Sequence, residues 1–214
     1  PNGLCNAACW FCPVKYHGNP AKGKASMPIE LFEKIIANLV KEQEDGLIDP
    51  AFNSIYTAHY NEVLLYQHFA EMLEVLRKYK FGTMLLSNGL PLTPQKVDLI
   101  RDYPDVMWGI CLNIPAIDED LWAARSGVDK KLFHKLVSNI EYAERHLEDM
   151  EKRGGFSIQV NGLNSATLLQ NGGMVEMLPK SPELDVDMEF GELKQQSMKF
   201  KAMFPKLIIN EYQF

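Results

Sequence analysis

Long apolar runs are missing from this chain of 214 residues. No stretch approaches the ~18 apolar residues that cross a bilayer, so no membrane span is expected. No basic and apolar leader with a small-residue cleavage site precedes Cys5, so an intracellular, cytoplasmic protein is expected. Internal repeats and low-complexity tracts are also missing, and nothing linker-like divides the chain into separate domains. Positive charge is in the minority, with 22 Lys and Arg against 28 Asp and Glu, a net charge of −6. That balance argues against a broad phosphate-binding surface, so a nucleic-acid partner is not expected. Lys194, Lys199, Lys201 and Lys206 gather near the end, either as a solvated helix face or as a local basic patch. Cysteine is scarce too: three of the four crowd into Cys5, Cys9 and Cys12, and Cys111 stands far away. A disulfide-stapled secreted domain spreads its cysteines along the chain, whereas this crowding fits metal ligation in a reducing compartment.

What is present is ordinary globular material, 46% hydrophobic and 23% charged. The length fits one domain, or a domain with a fragment of another. Short β-like runs alternate with amphipathic segments. Ser26 and Pro28 mark a helix start, and Ile29, Phe32, Ile35, Ile36 and Leu39 recur at helical spacing until Gly46 and Pro50. A strand is expected over 54–60 and a helix over 66–79. Phe81 to Ser87 reads as a strand stopped by the turn Ser87-Asn88-Gly89, and Thr93-Pro94 as the N-cap and first residue of a third helix. A buried strand is expected over 106–114. One long helix follows over 130–153, capped by Asp129 and stopped by Gly154-Gly155. A strand over 156–161, a short helix over 168–178, a strand over 184–190 and a strand-like end from Leu207 complete the pattern. Strands separated by helices imply βαβ units, a parallel sheet, and a site at the C-terminal ends of the strands.

The segment Cys5-Asn6-Ala7-Ala8-Cys9-Trp10-Phe11-Cys12-Pro13 carries the chemistry. Three thiolates in so short a loop can wrap one side of a cubane iron–sulfur cluster and leave one iron without a protein ligand. An open position on a metal serves substrate or solvent. The alternatives are a zinc site or a plain electron-transfer cluster, which ordinarily use four ligands. His17 and Cys111 are the available fourth ligands, although His17 also reads as a surface histidine and Cys111 as a buried, inert thiol.

The spacing Cys-x3-Cys-x2-Cys with Phe11 before the last cysteine resembles the signature of the radical S-adenosylmethionine (SAM) superfamily. The resemblance runs along nearly the whole chain. It implies a partial (β/α)6-type barrel whose first strand lies upstream of residue 1, with the core over 1–190 and a C-terminal helix and strand over 191–214. It also implies a 4Fe–4S cluster on Cys5, Cys9 and Cys12, with SAM at the open iron.

The other site residues follow from the same resemblance. His59-Tyr60-Asn61-Glu62 is similar to the family's Gly-Gly-Glu element, which gives Glu62 to the SAM amino group, although Tyr60 and Asn61 replace both glycines. A carboxylate suits an ammonium; the alternative is an ordinary surface glutamate. Ser87-Asn88-Gly89 resembles the family's Thr-Asn-Gly, and is equally a turn former in its own right. Asn113 falls at the end of the next strand, where relatives hold the ribose or carboxylate of SAM. Arg125, in Ala124-Arg125-Ser126-Gly127, resembles an arginine that pairs with the SAM carboxylate, or is a loop arginine in solvent. Gln159 and Asn161 alternate on one face of a strand, a polar face that the family points into the barrel toward SAM or substrate, and Glu189 is a further candidate.

The implied activity is reductive cleavage of SAM to a 5′-deoxyadenosyl radical that removes hydrogen from a substrate, with a flavodoxin or ferredoxin as low-potential electron donor. The Asn61-Glu62 and Ser87-Asn88-Gly89 landmarks resemble the branch that modifies peptides and proteins. The competing readings are a non-catalytic iron–sulfur or zinc module on an α/β scaffold, and a degenerate member that binds SAM without turnover.

Overall fold

A computed structural model describes residues 1–9, 12, 14–15, 26–57, 61–155, 157–161 and 190–209. Helix α1 spans Ile29–Glu44 and turns Phe32 and Ile36 inward. Its N-cap is Pro28, with no side-chain cap. Ser26, expected to cap it, instead forms an isolated antiparallel bridge with Asn2, which ties the start of the chain to the foot of α1. Strand β1 covers Ser54–Tyr56, shorter than the sequence pattern implied. A 3-10 turn over Val63–Leu65 then leads into α2, Phe69–Tyr79, which buries Phe69, Met72, Leu73 and Leu76 completely. Each such side chain contributes about 1.5–3 kcal/mol by leaving water.

Strand β2 is Gly82–Ser87 and α3 is Pro94–Arg101, with Thr93 at the N-cap and proline opening the helix as expected. Strand β3 is Met107–Asn113. Helix α4, Glu119–Ser126, was not anticipated: the Asp118 carboxylate caps it from the amides of Asp120 and Leu121, and Gly127 closes it in the left-handed region. The single helix expected over 130–153 is three pieces: a 3-10 turn Lys130–Leu132, α5 Phe133–His146 and α6 Glu148–Lys152. Asp129 caps only the 3-10 turn. The break falls where the His146 ring bonds back to the Tyr142 carbonyl at 2.8 Å, a side chain competing with the helical ladder. Strand β4 is Ser157–Asn161, α7 is Phe190–Met203 and β5 is Ile208–Ile209. Phe190, expected to end a strand, begins α7. The rest of that expected strand, the expected helix over 168–178 and Glu189 lie outside the described residues.

The strands form one sheet in the order β1-β2-β3-β4-β5, and every neighbouring pair is parallel. Sequential order never reverses among the described strands, so right-handed crossovers put the described helices that connect them on one side. The result is a partial barrel, as the resemblance implied. Thr83, Leu85, Ile110, Leu112 and Ile158 are buried on the helix-packed face. On the other face Tyr56 is 75% exposed, and Leu86, Trp108 and Ile208 are also open. Among the described residues, no helix is long and apolar enough to cross a membrane.

Candidate functional site

The cysteine loop lies across the C-terminal ends of β1 and β2, where a barrel of this kind places its chemistry. Its geometry begins with backbone pairing. The Glu62 amide donates to the Leu4 carbonyl at 2.7 Å, and the Ala8 amide to the Ser126 carbonyl at 2.9 Å. A turn closed by Cys12 N–H to the Cys9 carbonyl at 3.0 Å brings those two cysteines together. On the entry side, the Asn2 amide donates to the Glu62 carbonyl at 3.0 Å, and the Asn61 amide donates to Asn2 Oδ1 at 2.7 Å. The loop is therefore clamped from the end of β1 on one flank and from the end of α4 on the other.

Glu62 lies beyond the end of β1 rather than within it, and only 1% of it is exposed. Oε1 accepts from the Leu64 amide at 3.2 Å, capping the 3-10 turn, and Oε2 accepts from the Asn88 amide at 2.8 Å. Burial pushes its carboxyl above the usual glutamate range, while the Asn88, Ser87 and Leu64 donors pull the other way. Glu62 is thus a buried joint between β1, β2 and the cysteine loop. Only its remaining lone pairs are open to a ligand ammonium.

Ser87 is buried, and its hydroxyl accepts from the Gly89 amide at 3.0 Å. Gly89 has φ +81°, a conformation that glycine adopts without strain. The Asn88 side chain works on both sides of this turn. Its Oδ1 accepts from the Leu90 amide at 3.1 Å, and its Nδ2 reaches Asn6 Oδ1 at 2.7 Å and Cys5 Sγ at 4.0 Å. Beneath the turn, the buried Asn139 of α5 donates to the carbonyls of Gly89 at 3.3 Å and Leu90 at 2.8 Å. Asn139, Asn2 and Asn6 did not stand out in the sequence. The only trace of Asn139 there is an amide within an apolar helical stripe between Leu136 and Ile140.

The other expected residues fall at neighbouring strand ends. Asn113 closes β3, half-buried, with Asn161 opposite it and Gln159 opposite Cys111 in the β3–β4 register. Nothing further is described of the Gln159 and Asn161 side chains, and Phe11, His17, His59 and Tyr60 are outside the described residues. Arg125 is not in a loop but in the last turn of α4. There it is half-buried, and its guanidinium donates to the Pro115 carbonyl at 3.0 Å. Two residues on, Gly127 has φ +64°, and a β-carbon there would sit 2.7 Å from the Ala8 carbonyl oxygen. Glycine is what lets the cysteine loop dock on α4. Cys111 is a buried thiol, as expected.

Burial, together with the neighbouring Cys5 and Cys12 sulfurs, pushes the Cys9 thiol up to about 12. Three thiolates held this close repel one another unless a positively charged centre lies among them. Among the described residues, no three Cys, His, Asp or Glu side chains converge tightly enough for one metal ion. A cubane takes each cysteine on a different iron, and so accepts a wider spread than one zinc ion does. Three cysteine thiols in one loop are the donor type that an iron–sulfur cluster takes. The buried hydroxyls of Thr57, at the end of β1, and Ser126, under the loop, have no hydrogen-bond partner, so polar capacity is left at the same strand ends.

The family model described as "Radical SAM superfamily" matches residues 1–167. The chain belongs to the radical SAM superfamily. No curated protein matches it by sequence. Among solved structures it is similar to Streptococcus suis SuiB bound to S-adenosylmethionine, at TM-score 0.56 and 13% identity, over 98% of this chain and 48% of that one. It is likewise similar to SuiB bound to its precursor peptide SuiA, at TM-score 0.54 and 14% identity, over 98% and 47%. The radical SAM chain thus spans about half the length of SuiB. At such identities the likeness shows the fold.

Proposed function

We propose that this radical SAM protein is an enzyme that binds a 4Fe–4S cluster on Cys5, Cys9 and Cys12 and cleaves SAM reductively to remove hydrogen from a substrate of the peptide or protein class. The observation that carries this reading is the clamped cysteine loop at the C-terminal sheet edge, with three thiols and no fourth cysteine beside them. A cluster held by Cys5, Cys9 and Cys12 would supply the one electron that splits the C5′–S bond of SAM, with methionine as the leaving group and a hydrogen removed from substrate. The chain's own residues position these groups. Asn88, Asn113 and Arg125, together with the β4 end carrying Gln159 and Asn161, surround the place for SAM. Phe11 lies within the ligand loop. Glu62 and Ser87 hold that loop in register with β2, and Glu62 offers its remaining lone pairs to the SAM ammonium.

A peptide substrate is supported by two observations. SuiB, which shares this fold, has been solved with a precursor peptide. In this chain the face opposite the helices presents Tyr56, Leu86, Trp108 and Ile208 to the outside, an open apolar surface of the kind that an extended chain can lie on. A flavodoxin or ferredoxin is the proposed electron donor.

The deciding test is electron paramagnetic resonance of the anaerobically reconstituted, dithionite-reduced protein with and without SAM. A 4Fe–4S signal that shifts on adding SAM is expected, together with 5′-deoxyadenosine as product. A signal indifferent to SAM would turn the reading to a non-catalytic cluster module. A shifted signal without product would turn it to a member that binds SAM without turnover. Cys9→Ala is expected to abolish both iron loading and 5′-deoxyadenosine formation. Product formed by that variant would remove the cluster assignment.

A further inference from the structure

Asn88 links the Glu62 carboxyl to the cysteine loop: its backbone amide meets the carboxyl, and its side-chain amide faces Asn6 and the Cys5 sulfur. Its position is over-determined. The backbone amide is held by Glu62 Oε2 at 2.8 Å, and the side-chain carbonyl by the Leu90 amide at 3.1 Å. The carbonyls of the two following residues are held by Asn139 from below. With its backbone and its Oδ1 fixed, the side chain cannot turn away, and its NH2 group is left pointing at the cysteine loop. That NH2 group has two hydrogens at a fixed angle. Nδ2 is 2.7 Å from Asn6 Oδ1 and 4.0 Å from Cys5 Sγ, so the two hydrogens serve the two neighbours. The sulfur distance is at the long end for N–H···S, which suits a large, soft acceptor.

We propose that Asn88 is a positioning residue for the cluster: its side-chain amide donates to the Cys5 sulfur and, through Asn6, holds that ligand's loop, and so raises the cluster's reduction potential. This rests on the cluster reading above and deepens it. The physical ground is the sign of the dipole. Reduction adds negative charge that spreads onto the ligand sulfurs, and an N–H aimed at one of them stabilises the reduced state more than the oxidised one.

The test is a mediated redox titration of the full chain, reconstituted anaerobically and followed by electron paramagnetic resonance without SAM. Asn88→Ala is expected to lower the one-electron reduction constant about tenfold, about 59 mV. Asn88→Asp should shift it further the same way, since it keeps the acceptor for the Leu90 amide and puts charge where the donor was. A purely structural role would change iron loading or melting temperature without moving the potential. Variants that load iron like the wild type and titrate at the wild-type potential would overturn the proposal while leaving the cluster reading intact. If the wild-type chain assembles no cluster, that reading falls and this one with it. Should both variants fail to hold a cluster, an Asn6→Asp chain labelled with 15N only at the asparagine side-chain amides decides, since it keeps an oxygen for Asn88 and removes the Asn6 nitrogen. A 15N coupling to the reduced cluster is expected, and its absence overturns the proposal.

Discussion

Gly127 shows how one missing side chain shapes this site. Its backbone adopts φ +64°, and a β-carbon would meet the Ala8 carbonyl oxygen at 2.7 Å. Gly127→Ala therefore incurs both the left-handed strain and a clash with the loop that holds Cys9. The expected loss is about 1–3 kcal/mol in urea unfolding, with a lower iron content per chain. Full iron loading in that variant would show that the loop does not depend on docking at α4. At Asn61-Glu62 the sequence made the acidic group visible but not its surroundings. The glutamate that resembled a ligand-facing carboxylate is buried, and both its oxygens already serve protein donors. Sequence could not reveal that, because the donors come from a strand end 26 residues away and from the next turn.

Among the elements, α4 matters most to the site and was the one the sequence pattern failed to show. Its eight residues carry little apolar periodicity, and only Trp122 and Ser126 are buried. What marks it is the capping chemistry, Asp118 at the start and Gly127 after the end. Asp118→Ala leaves the amides of Asp120 and Leu121 without their acceptor and is expected to cost about 1 kcal/mol, read in chemical denaturation. A second element-scale link joins α6 to the turn before β5. Glu148 pairs with Lys152 at 2.8 Å and with Lys206 at 2.8 Å, and those lysines hold its carboxyl down at about 2 from an ordinary 4.5. A carboxyl depressed in the fold adds stability that is complete above the ordinary value and is lost as pH falls through the folded one. The stability difference between wild type and Glu148→Gln is therefore expected to shrink between about 4.5 and about 2. It should also be smaller in high salt, because the pair is exposed. A difference flat across that range would show that the pair contributes nothing. Lys206 also corrects the picture of a uniform solvated lysine face: Lys194, Lys199 and Lys201 are exposed on α7, whereas Lys206 lies beyond it and bridges to α6.

Seen whole, the molecule is a sheet whose strands follow one another in chain order, with helices on one side and an open apolar face on the other. The cysteine count carries a prediction at this scale. Among Cys5, Cys9, Cys12 and Cys111, the last is buried in β3, so the proposed cluster uses the three that remain. Iron analysis of the reconstituted chain is expected to give about four irons. Close to eight would require a second cluster that these cysteines do not account for.

The ligand loop was legible because it is local: three thiols at fixed spacing state their chemistry wherever the chain folds. Alternation of strands and helices was legible for the same reason, since β2, β3, α2 and α3 bury residues with the periodicity of their own segments. The tertiary structure alone decided what holds the loop. Asn61, Glu62, Asn88 and Ser126 meet it from separate strand ends and a short helix, and the longest of these links joins the Ala8 amide to the Ser126 carbonyl. Polar groups of this kind leave no periodic trace. Each is satisfied only by a partner that the fold delivers, so the sequence named the cysteines, Glu62 and Asn88 but not the contacts by which they frame the loop.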